Sequence, residues 1–354
     1  MPPPQAGFRR FAAARTASPD LPAGPVLARI FTAALALAIM APLAARAGFD
    51  AAARYSRSTG GLTVLVFERG KIFSDSRKGF SPATPVHILS ITKSLTALAW
   101  LSRFPPDHRV TVSSDGRRTI AASALLSPTS GIAPGDHRIY RSGIYDIVST
   151  AQKLPRMAAT GTLFDYGPSH FELLGHDLER ATGPGRNPLQ DLLLARLGLA
   201  PAAWRTDRRG HPFLSAGACL SANDLLKIGR LVLNRGRAGT FSTLVPESRL
   251  TRAFAGSPAN PAYGFGFWLN SNAAKPRAVE RDIEQCLAMP RGTINWQTMC
   301  FSKSAPADMV CMAGSNGQRV YISRSHQLVI VRLGQPGRFR DPDFLRSFFT
   351  ESAR

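Results

Sequence analysis

Strand-forming segments lie near both ends of this 354-residue chain, with helical patterns in the long stretch between them. Residues 61–67 (GLTVLVF) and 71–73 predict two strands joined by a short turn. Residues 319–323 and 328–333 predict two more, again joined by a turn, and residues 263–269 predict a fifth. One sheet formed from both termini and interrupted by a helical insert accommodates these segments. The chain is therefore predicted to be an α/β protein with a second, all-α region.

The same pattern divides the chain into a leader and one large domain. Residues 48–354 are expected to form the domain, whose α/β part covers about residues 55–95 and 215–354. The helical insert covers about residues 96–214. Within the insert, FELLGHDLERAT at 171–182 has apolar residues at helical spacing, and a glycine follows it as a stop signal.

The first 47 residues have the layout of a secretory signal peptide with an unusually long polar n-region. Residues 30–44 form an uncharged apolar run, and Ala45-Arg46-Ala47 places small residues at the two positions that a signal peptidase recognises. Cleavage is expected before Gly48, which would make the protein periplasmic or secreted. The alternative is an uncleaved anchor in the inner membrane, although the run is short for a full span.

The chain is strongly basic, with 44 Lys and Arg against 23 Asp and Glu and a formal net charge of +21. The leader accounts for only four of these charges, and arginine outnumbers lysine 37 to 7. The arginines are spread singly, without a basic helix, an aromatic-interleaved stripe or zinc-finger spacing, so no nucleic acid is expected as a partner. In an exported protein the charge favours an anionic envelope surface or acidic substrates. A compositional bias of the source organism is the other explanation.

Nothing in the sequence predicts a metal or a cofactor. Its four cysteines form no CxxC pair, and its seven histidines show no HExxH or clustered metal-ligand spacing. No phosphate-binding Gly-rich loop or dinucleotide fingerprint occurs either. In an oxidising compartment a disulfide between Cys286 and Cys300 would close a loop of about 15 residues, worth about 3 kcal/mol in the chain-entropy model. Buried free thiols are the alternative.

One short segment carries nucleophile chemistry: Ser90-Ile91-Thr92-Lys93, followed at once by the apolar run 95–101. The run predicts a buried helix that begins at the serine, and residues i and i+3 share one helix face. Desolvation and the positive end of the helix dipole both lower the pKa of a lysine placed there. A neutral amine can then take the proton of Ser90 as the serine oxygen attacks a carbonyl. The simpler alternative is an N-cap serine with a lysine that reaches solvent.

The order of motifs resembles that of the serine β-lactamase-like hydrolases, which include class C β-lactamases, D-alanyl-D-alanine carboxypeptidases, esterases and amidases. Ser-x-x-Lys opening a helix after a hairpin is one signature of that superfamily. LLSPTSGI at 125–132 resembles its Leu-Leu-x-x-x-Ser-Gly segment, and GTLFDYGP at 161–168 resembles its Tyr-x-Asn segment. YGFGFW at 263–268 resembles the strand before the last motif, and AGSNGQ at 313–318 stands where the family has its Lys/His-Thr-Gly strand. The resemblance implies a β-lactamase/transpeptidase-like fold, with an antiparallel sheet flanked by helices.

The resemblance also implies a role for each matching residue. Ser90 would be the nucleophile, Lys93 its proton acceptor, and Tyr166 the second acid/base, which passes a proton to the leaving group. The backbone N–H groups of Ser90 and Ser315 would form the oxyanion hole. The implied substrate is a small-molecule ester or amide. Three further residues are expected to line the substrate site: Gly314, Pro168 and His170.

Two positions depart from the family pattern. Pro168 stands where the family usually has asparagine, and Met312 or Cys311 stands where it has Lys or His. The second change removes a cation expected to meet the carboxylate of a β-lactam or a D-Ala-D-Ala substrate. Hydrolysis of an ester or amide is therefore the favoured function, and β-lactamase or D-alanyl-D-alanine carboxypeptidase activity and a non-catalytic envelope binding module are the alternatives. For His170 a structural role is the alternative to substrate binding.

Overall fold

The computed structural model describes residues 46–183, 185–240 and 242–352. The expected signal sequence thus lies outside the described residues, except that residues 46–47 begin the first helix. Within those described ranges, no helix combines the length and the apolar character needed to cross a membrane. The described residues all belong to one unit, residues 44–354.

The strands and helices have the following bounds. The strands are β1 (Gly61–Glu68), β2 (Lys71–Ser76), β3 (Val86–His87), β4 (Arg109–Thr111), β5 (Thr119–Ala121), β6 (Ala203–Trp204), β7 (Ala218–Leu220), β8 (Trp268–Leu269), β9 (Val279–Glu280), β10 (Met299–Cys300), β11 (Val310–Gly314), β12 (Gln318–Ser323) and β13 (Leu328–Gly334). The α-helices are α1 (46–58), α2 (Ile91–Arg103), α3 (Ala122–Leu126), α4 (Asp136–Ile139), α5 (Ile147–Gln152), α6 (Ser169–Thr182), α7 (Ala222–Leu233), α8 (Glu247–Ala253), α9 (Ile283–Ala288) and α10 (Asp341–Ser352). Short π- or 3₁₀-helical segments cover Gln190–Leu194, Ala195–Leu197 and Ser271–Ala274.

The main sheet joins the two ends of the domain. Its strand order is β2-β1-β13-β12-β11-β8, and every neighbouring pair is antiparallel. The central pairing of β1 with β13 places Leu65 opposite Val331. The predicted α/β fold, with an antiparallel sheet built from both termini, is confirmed.

Helices cover both faces of this sheet, which explains why its strands are apolar without a regular alternation. Leu65 belongs to the core shared with α2 and α7, whereas its neighbours Val64 and Val66 belong to a second core shared with α1 and α10. All three valine and leucine side chains are at most 2% exposed. Burial of each such side chain contributes about 1.5–3 kcal/mol of transfer free energy.

The insert between α2 and β7 is mainly helical. Helix α6 packs against α2, α3 and α5 within it. The insert also contains the two-stranded β4–β5 hairpin, and β6 joins β3 and β7 in a small separate sheet. The region predicted as all-α is therefore helical with a short hairpin, whose strands are only three residues long.

The strand predicted for residues 263–269 is shorter in the structure. Only Trp268 and Leu269 form β8, and the residues before them fold into a tight turn in which the Gly264 amide donates to the Phe267 carbonyl. A Cβ on Gly264 would lie 1.8 Å from the Ala253 carbonyl oxygen, so this turn needs glycine for close backbone approach. The apolar alternation of the segment comes from packing on both sides of the turn.

The cysteines are all free thiols. Cys286 and Cys300 are buried and unpaired, as is Cys311, and Cys219 is partly buried. Of the two alternatives drawn from the sequence, the structure has the free thiols. Burial raises the pKa of the Cys286 and Cys300 thiols, to about 12 and about 11.

Candidate active site

The candidate nucleophile lies at the end of a strained turn. Leu89 has a φ of +51°, a left-handed conformation that is an outlier for a bulky side chain. Ser90 follows as the N-cap residue of α2 with near-helical angles, φ −66° and ψ −6°. Strain of this kind costs about 1–3 kcal/mol and persists where the surrounding structure enforces it, most often at functional sites. The turn fixes Ser90 at the head of a buried helix.

Lys93, one turn along α2, points its amine back at the serine. Its Nζ lies 2.9 Å from Ser90 Oγ, and it donates to the Ser215 carbonyl oxygen at 3.1 Å. The side chain is only 2% exposed, so it does not reach solvent. Ser90 makes no side-chain capping hydrogen bond to the helix. The simpler alternative, a capping serine with a solvent-directed lysine, does not describe this pair.

The protonation of Lys93 is set by its surroundings. Burial lowers the pKa of its amine to about 8, against the opposing influence of the Asp136 and Glu172 carboxylates. An amine with this pKa is substantially neutral in weakly alkaline solution and can accept a proton. The pair has the geometry and the ionisation that a serine nucleophile with a lysine base requires.

A chain of hydrogen bonds leads from Lys93 to a buried carboxylate. The Tyr140 hydroxyl accepts from Lys93 Nζ at 3.1 Å and donates to Ser215 Oγ at 3.2 Å. Ser215 Oγ in turn donates to Glu172 Oε1. The other Glu172 oxygen accepts the Leu214 amide at 3.1 Å. The Lys93, Tyr140, Ser215 and Glu172 side chains thus form one network that ends in an anion.

This network directs the lone pair of the amine toward the serine. A neutral amine has two N–H donors and one lone pair. The Ser215 carbonyl can only accept, and the Tyr140 hydroxyl has given its own hydrogen to Ser215 Oγ, so both take an N–H from Lys93. The lone pair then faces the third partner, the Ser90 hydroxyl.

The sequence prediction missed Tyr140, Ser215 and Glu172. One signal was present for Glu172, because it is a carboxylate within the otherwise apolar FELLG segment of a helix. It is 2% exposed, and burial raises the pKa of its carboxyl to about 7 against hydrogen bonds that lower it. A carboxylate at such a position needs buried donors, which the Leu214–Ser215 segment provides.

Tyr166 lies on the other side of the lysine. Its ring centroid is 5.0 Å from Lys93 Nζ, and it packs against Tyr263 and Trp268 with centroids 5.8 and 6.0 Å away. Burial raises the pKa of its hydroxyl well above the ordinary tyrosine value, although a hydrogen bond with the Ser90 side chain lowers it. Tyr166 is therefore a neutral hydroxyl beside Ser90.

The end of β11 runs against the backbone of Ser90. A Cβ on Gly314 would lie 2.4 Å from the Ile88 carbonyl oxygen and 3.2 Å from the Ser90 nitrogen, so only glycine fits. In the part of the chain that the structure describes, neither the Ser90 amide nor the Ser315 amide donates to a protein acceptor. Both N–H groups are free to bind a ligand oxygen.

The turn that carries Ser315 is held from behind by charged groups. The Glu284 carboxylate accepts the Asn316 amide at 3.1 Å and the Gly317 amide at 2.8 Å. Arg319, fully buried, donates from Nη1 to the Gly314 carbonyl at 2.6 Å. These contacts fix the backbone on each side of Ser315.

A cavity of about 360 Å³ opens beside Tyr166. Its walls include the aromatic side chains of Phe164 and Trp296. The charged side chains in its lining are Asp136, Asp165 and Arg291. The cavity borders the serine through Tyr166, which lines it and whose hydroxyl is a hydrogen-bond neighbour of Ser90.

A model of the beta-lactamase family matches residues 27–335 of the chain. This protein belongs to the beta-lactamase family. No curated protein matches it significantly.

Solved structures of the beta-lactamase fold agree with this assignment. A candidate beta-lactamase from Bacteroides dorei is 19% identical with a TM-score of 0.61, covering 84% of this chain and 93% of the other. A D-stereospecific amidohydrolase from Streptomyces sp. is 15% identical with a TM-score of 0.57, covering 85% and 98%. EstCE1, a hydrolase with promiscuous acyltransferase activity, is 17% identical with a TM-score of 0.56, covering 91% and 99%. The shared fold is that of hydrolases.

The family motif that usually carries a cation has none in this beta-lactamase family member. Cys311 and Met312 are both fully buried, and they belong to the cores on opposite faces of β11. The nearby Arg319 is occupied by Asp341, Glu284 and the Gly314 carbonyl. Its guanidinium is not available to a substrate carboxylate.

Pro168 and His170 lie at the start of α6. Pro168 is the N-cap residue of that helix, and it is buried. His170 is fully buried, with Nδ1 3.0 Å from Ser130 Oγ and Nε2 2.8 Å from the Asp165 carbonyl oxygen. Because both ring nitrogens contact the protein, the geometry favours the structural alternative for His170.

One group in the described ranges has the spacing of metal ligands: Asp146, Asp207 and His211, whose ligand atoms lie within 4.8 Å of one another. Protein contacts already use these atoms. Arg209 donates to Asp146 at 2.9 Å, and His211 Nδ1 lies 3.0 Å from a Glu179 oxygen. The Asp207 carboxylate accepts the backbone amides of Arg209 and His211. The group therefore stabilises a loop without needing an ion.

Proposed function

We propose that this protein is a serine hydrolase that cleaves an ester or amide bond through an acyl-enzyme on Ser90. The observation that carries the proposal is the 2.9 Å contact between Lys93 Nζ and Ser90 Oγ in a buried setting. The family assignment and the hydrolase fold support it. No metal or cofactor is needed for this reaction class.

In the acylation step, Ser90 Oγ attacks the carbonyl carbon of the substrate while its proton passes to the Lys93 lone pair. The carbonyl oxygen becomes negative in the tetrahedral intermediate, and the N–H groups of Ser90 and Ser315 stabilise it. Preorganised donors of this kind contribute about 3 kcal/mol each to the transition state. The intermediate collapses when the leaving group takes a proton and its bond to carbon breaks.

We assign the delivery of that proton to Tyr166. As a neutral hydroxyl next to both Ser90 and Lys93, it can donate to the leaving group and be reprotonated by the lysine ammonium. In deacylation the order reverses. A water molecule gives a proton to the same base, its oxygen attacks the acyl carbon, and Ser90 leaves with a proton restored.

The charge distribution favours esters and amides without a carboxylate beside the scissile bond. A β-lactam or D-Ala-D-Ala substrate presents a carboxylate, which is usually met by a charge-assisted hydrogen bond. In this chain the buried Met312 and Cys311 stand where the family's Lys/His-Thr-Gly strand has its Lys or His. We therefore place β-lactamase and D-alanyl-D-alanine carboxypeptidase activity second.

Reaction with a fluorophosphonate probe tests the proposal directly. We expect one covalent adduct, located at Ser90 by peptide mass spectrometry, and measurable hydrolysis of short p-nitrophenyl esters with a lower kcat/KM for nitrocefin. Ser102→Ala is a matched control, because Ser102 lies on the same helix and bonds only to the Ala99 carbonyl. Folded protein with Ser90 unlabelled would overturn the proposal and favour a binding module.

The rate should depend on the ionisation of Lys93. Since the neutral amine is the base, kcat/KM is expected to rise with pH and to level off above an apparent pKa of about 8. Below that midpoint the rate should fall tenfold for each pH unit. Glu172→Gln removes an anion that raises the pKa of Lys93, so the midpoint should move to lower pH.

Glu179→Gln is the control for this prediction. Glu179 lies on the same helix and is buried, but its carboxylate contacts His211 and not the lysine network. Its variant should keep the wild-type midpoint. A midpoint that is the same in Glu172→Gln as in the wild type, both being folded, would contradict the assigned role of the network.

A further inference from the structure

Asp136 presents a carboxylate to the cavity beside Tyr166. It is the first residue of α4, and Gly135 before it has a φ of +80°, which turns the chain at this point. In the described ranges its carboxylate forms no ion pair with Lys or Arg, unlike Asp165 on the same cavity wall. A carboxylate that lines the cavity without such an ion pair is available to a ligand.

The other charges of the cavity cancel. Arg291 Nε donates to Asp165 Oδ1 at 3.2 Å, and its Nη2 lies 2.6 Å from Asp165 Oδ2. This ion pair occupies the guanidinium and offsets the charge of Asp165. Asp136 is left as the net charge of the lining. The lining of the cavity therefore carries one net negative charge, in a chain whose formal net charge is +21.

The apolar part of the cavity is suited to a cation as well. Phe164 and Trp296 meet edge to face, with ring centroids 5.2 Å apart, and both line the same space as Asp136. Aromatic faces carry negative potential and attract ammonium groups, and an adjacent carboxylate adds to that attraction. Carboxylate and aromatic rings together form the usual recognition site for an alkylammonium group.

We propose that this cleft selects ester or amide substrates bearing an ammonium group, which Asp136 and the aromatic wall bind while the scissile carbonyl lies at Ser90. The inference rests on the proposed hydrolase function and names the substrate class of that site. The proposal accounts for the absence of a cation at the family's Lys/His-Thr-Gly strand, because a substrate with an ammonium group does not need a cation there. Asp136 is thus a specificity-determining residue.

A matched pair of esters tests the inference. The cationic member is p-nitrophenyl 4-(trimethylammonio)butanoate, and the neutral isostere is p-nitrophenyl 5,5-dimethylhexanoate. For the wild type we expect kcat/KM for the cationic ester to exceed that for the isostere about tenfold, as a partly exposed ion pair with cation–π contacts allows. In Asp136→Asn the ratio should fall several-fold toward one, because the variant loses the ion pair and keeps only the cation–π contacts.

The ratio matters because Asp136 also acts on the base. The charge of Asp136 raises the pKa of Lys93, so its removal changes the rate with both esters. Because that change in rate is common to both esters, it cancels in the ratio. Asp107→Asn, an exposed aspartate outside the cavity lining, should keep the wild-type ratio. A ratio near one in the wild type, or one unchanged in Asp136→Asn, would overturn the inference.

A binding measurement separates this inference from the hydrolase proposal. In Ser90→Ala protein, 4-(trimethylammonio)butanamide should bind more tightly than 5,5-dimethylhexanamide by calorimetry, and Asp136→Asn in that background should reduce the difference several-fold. This result is expected whether or not the wild type turns over esters. Equal binding of the two amides would refute the inference even if Ser90 is acylated.

Discussion

Replacing Ser90 with alanine is expected to reduce ester turnover by about 10⁴-fold or more, and replacing Lys93 with methionine should have an effect of the same order. Alanine removes the attacking oxygen. Methionine removes the Lys93 amine, which lies 2.9 Å from Ser90 Oγ and is the proposed acceptor of its proton. Methionine is close to lysine in length and suits a site that is 2% exposed, so the fold is expected to survive the second change.

The double variant makes this prediction sharper. Because a nucleophile and its base act as a unit, our proposal predicts that Ser90→Ala combined with Lys93→Met is about as slow as either single variant. Ser102→Ala on the same helix should retain wild-type turnover. Steady-state kinetics with p-nitrophenyl esters measures the turnover of all four variants, and circular dichroism checks that each variant is folded. Substantial turnover by folded Ser90→Ala protein would rule out the assigned nucleophile.

Asp341→Asn is expected to destabilise the fold by about 3–5 kcal/mol, because it removes one partner from a buried ion pair. Asp341 Oδ1 accepts Arg319 Nε at 2.7 Å, and Oδ2 accepts Arg319 Nη2 at 3.1 Å and the Ile283 amide at 3.0 Å. Both charged side chains are fully buried. An asparagine would leave the guanidinium without its full counter-charge and place an amide donor among donors.

Asp343→Asn on the same helix is the control for stability. Asp343 is partly exposed and pairs with the exposed Arg346, so its loss should cost less than about 1 kcal/mol. Urea denaturation of the three proteins gives the comparison. Equal midpoints for Asp341→Asn and the wild type would contradict the prediction.

The pH dependence of this difference has a defined sign. The Arg319 guanidinium and hydrogen bonds hold the pKa of Asp341 below its ordinary value, against the effect of burial. The ionised carboxylate therefore stabilises the native state at pH values above about 4, and this contribution is lost as the pH falls through its native pKa. The stability difference from Asp341→Asn should narrow in acid.

The parts of the site that are local in sequence could be predicted. Ser90 and Lys93 are three residues apart on one helix, so helix geometry alone brings them together. Tyr140 and Ser215 could not be placed in this way, because the contact of Lys93 with Ser215 spans 122 positions and depends on how the insert packs. The position of Tyr166 came from the family resemblance and not from its own surroundings.

The fold shows the same distinction. The apolar runs of β1 and β13 predict strands whichever partners they pair with. In the structure the two strands pair with each other in the main sheet, as expected. The segment 263–269 has an equally apolar pattern, but most of it is a turn whose shape is set by the Ala253 carbonyl packing onto Gly264. The sequence pattern of residues 263–269 does not predict this contact, because its partner Ala253 lies outside the segment.

The pairing of the two ends has a consequence for biosynthesis. Arg332 on β13 donates to Ser56 Oγ from 276 positions away, and β1 has its second partner only when β13 arrives. Ser315, which follows Gly314 at the end of β11, precedes β13 by one strand, β12. Contacts so distant in sequence form late and slowly. A ribosome-bound chain therefore carries Ser90 and Lys93 through most of its synthesis without the end of β11, which packs against the Ser90 backbone in the native fold.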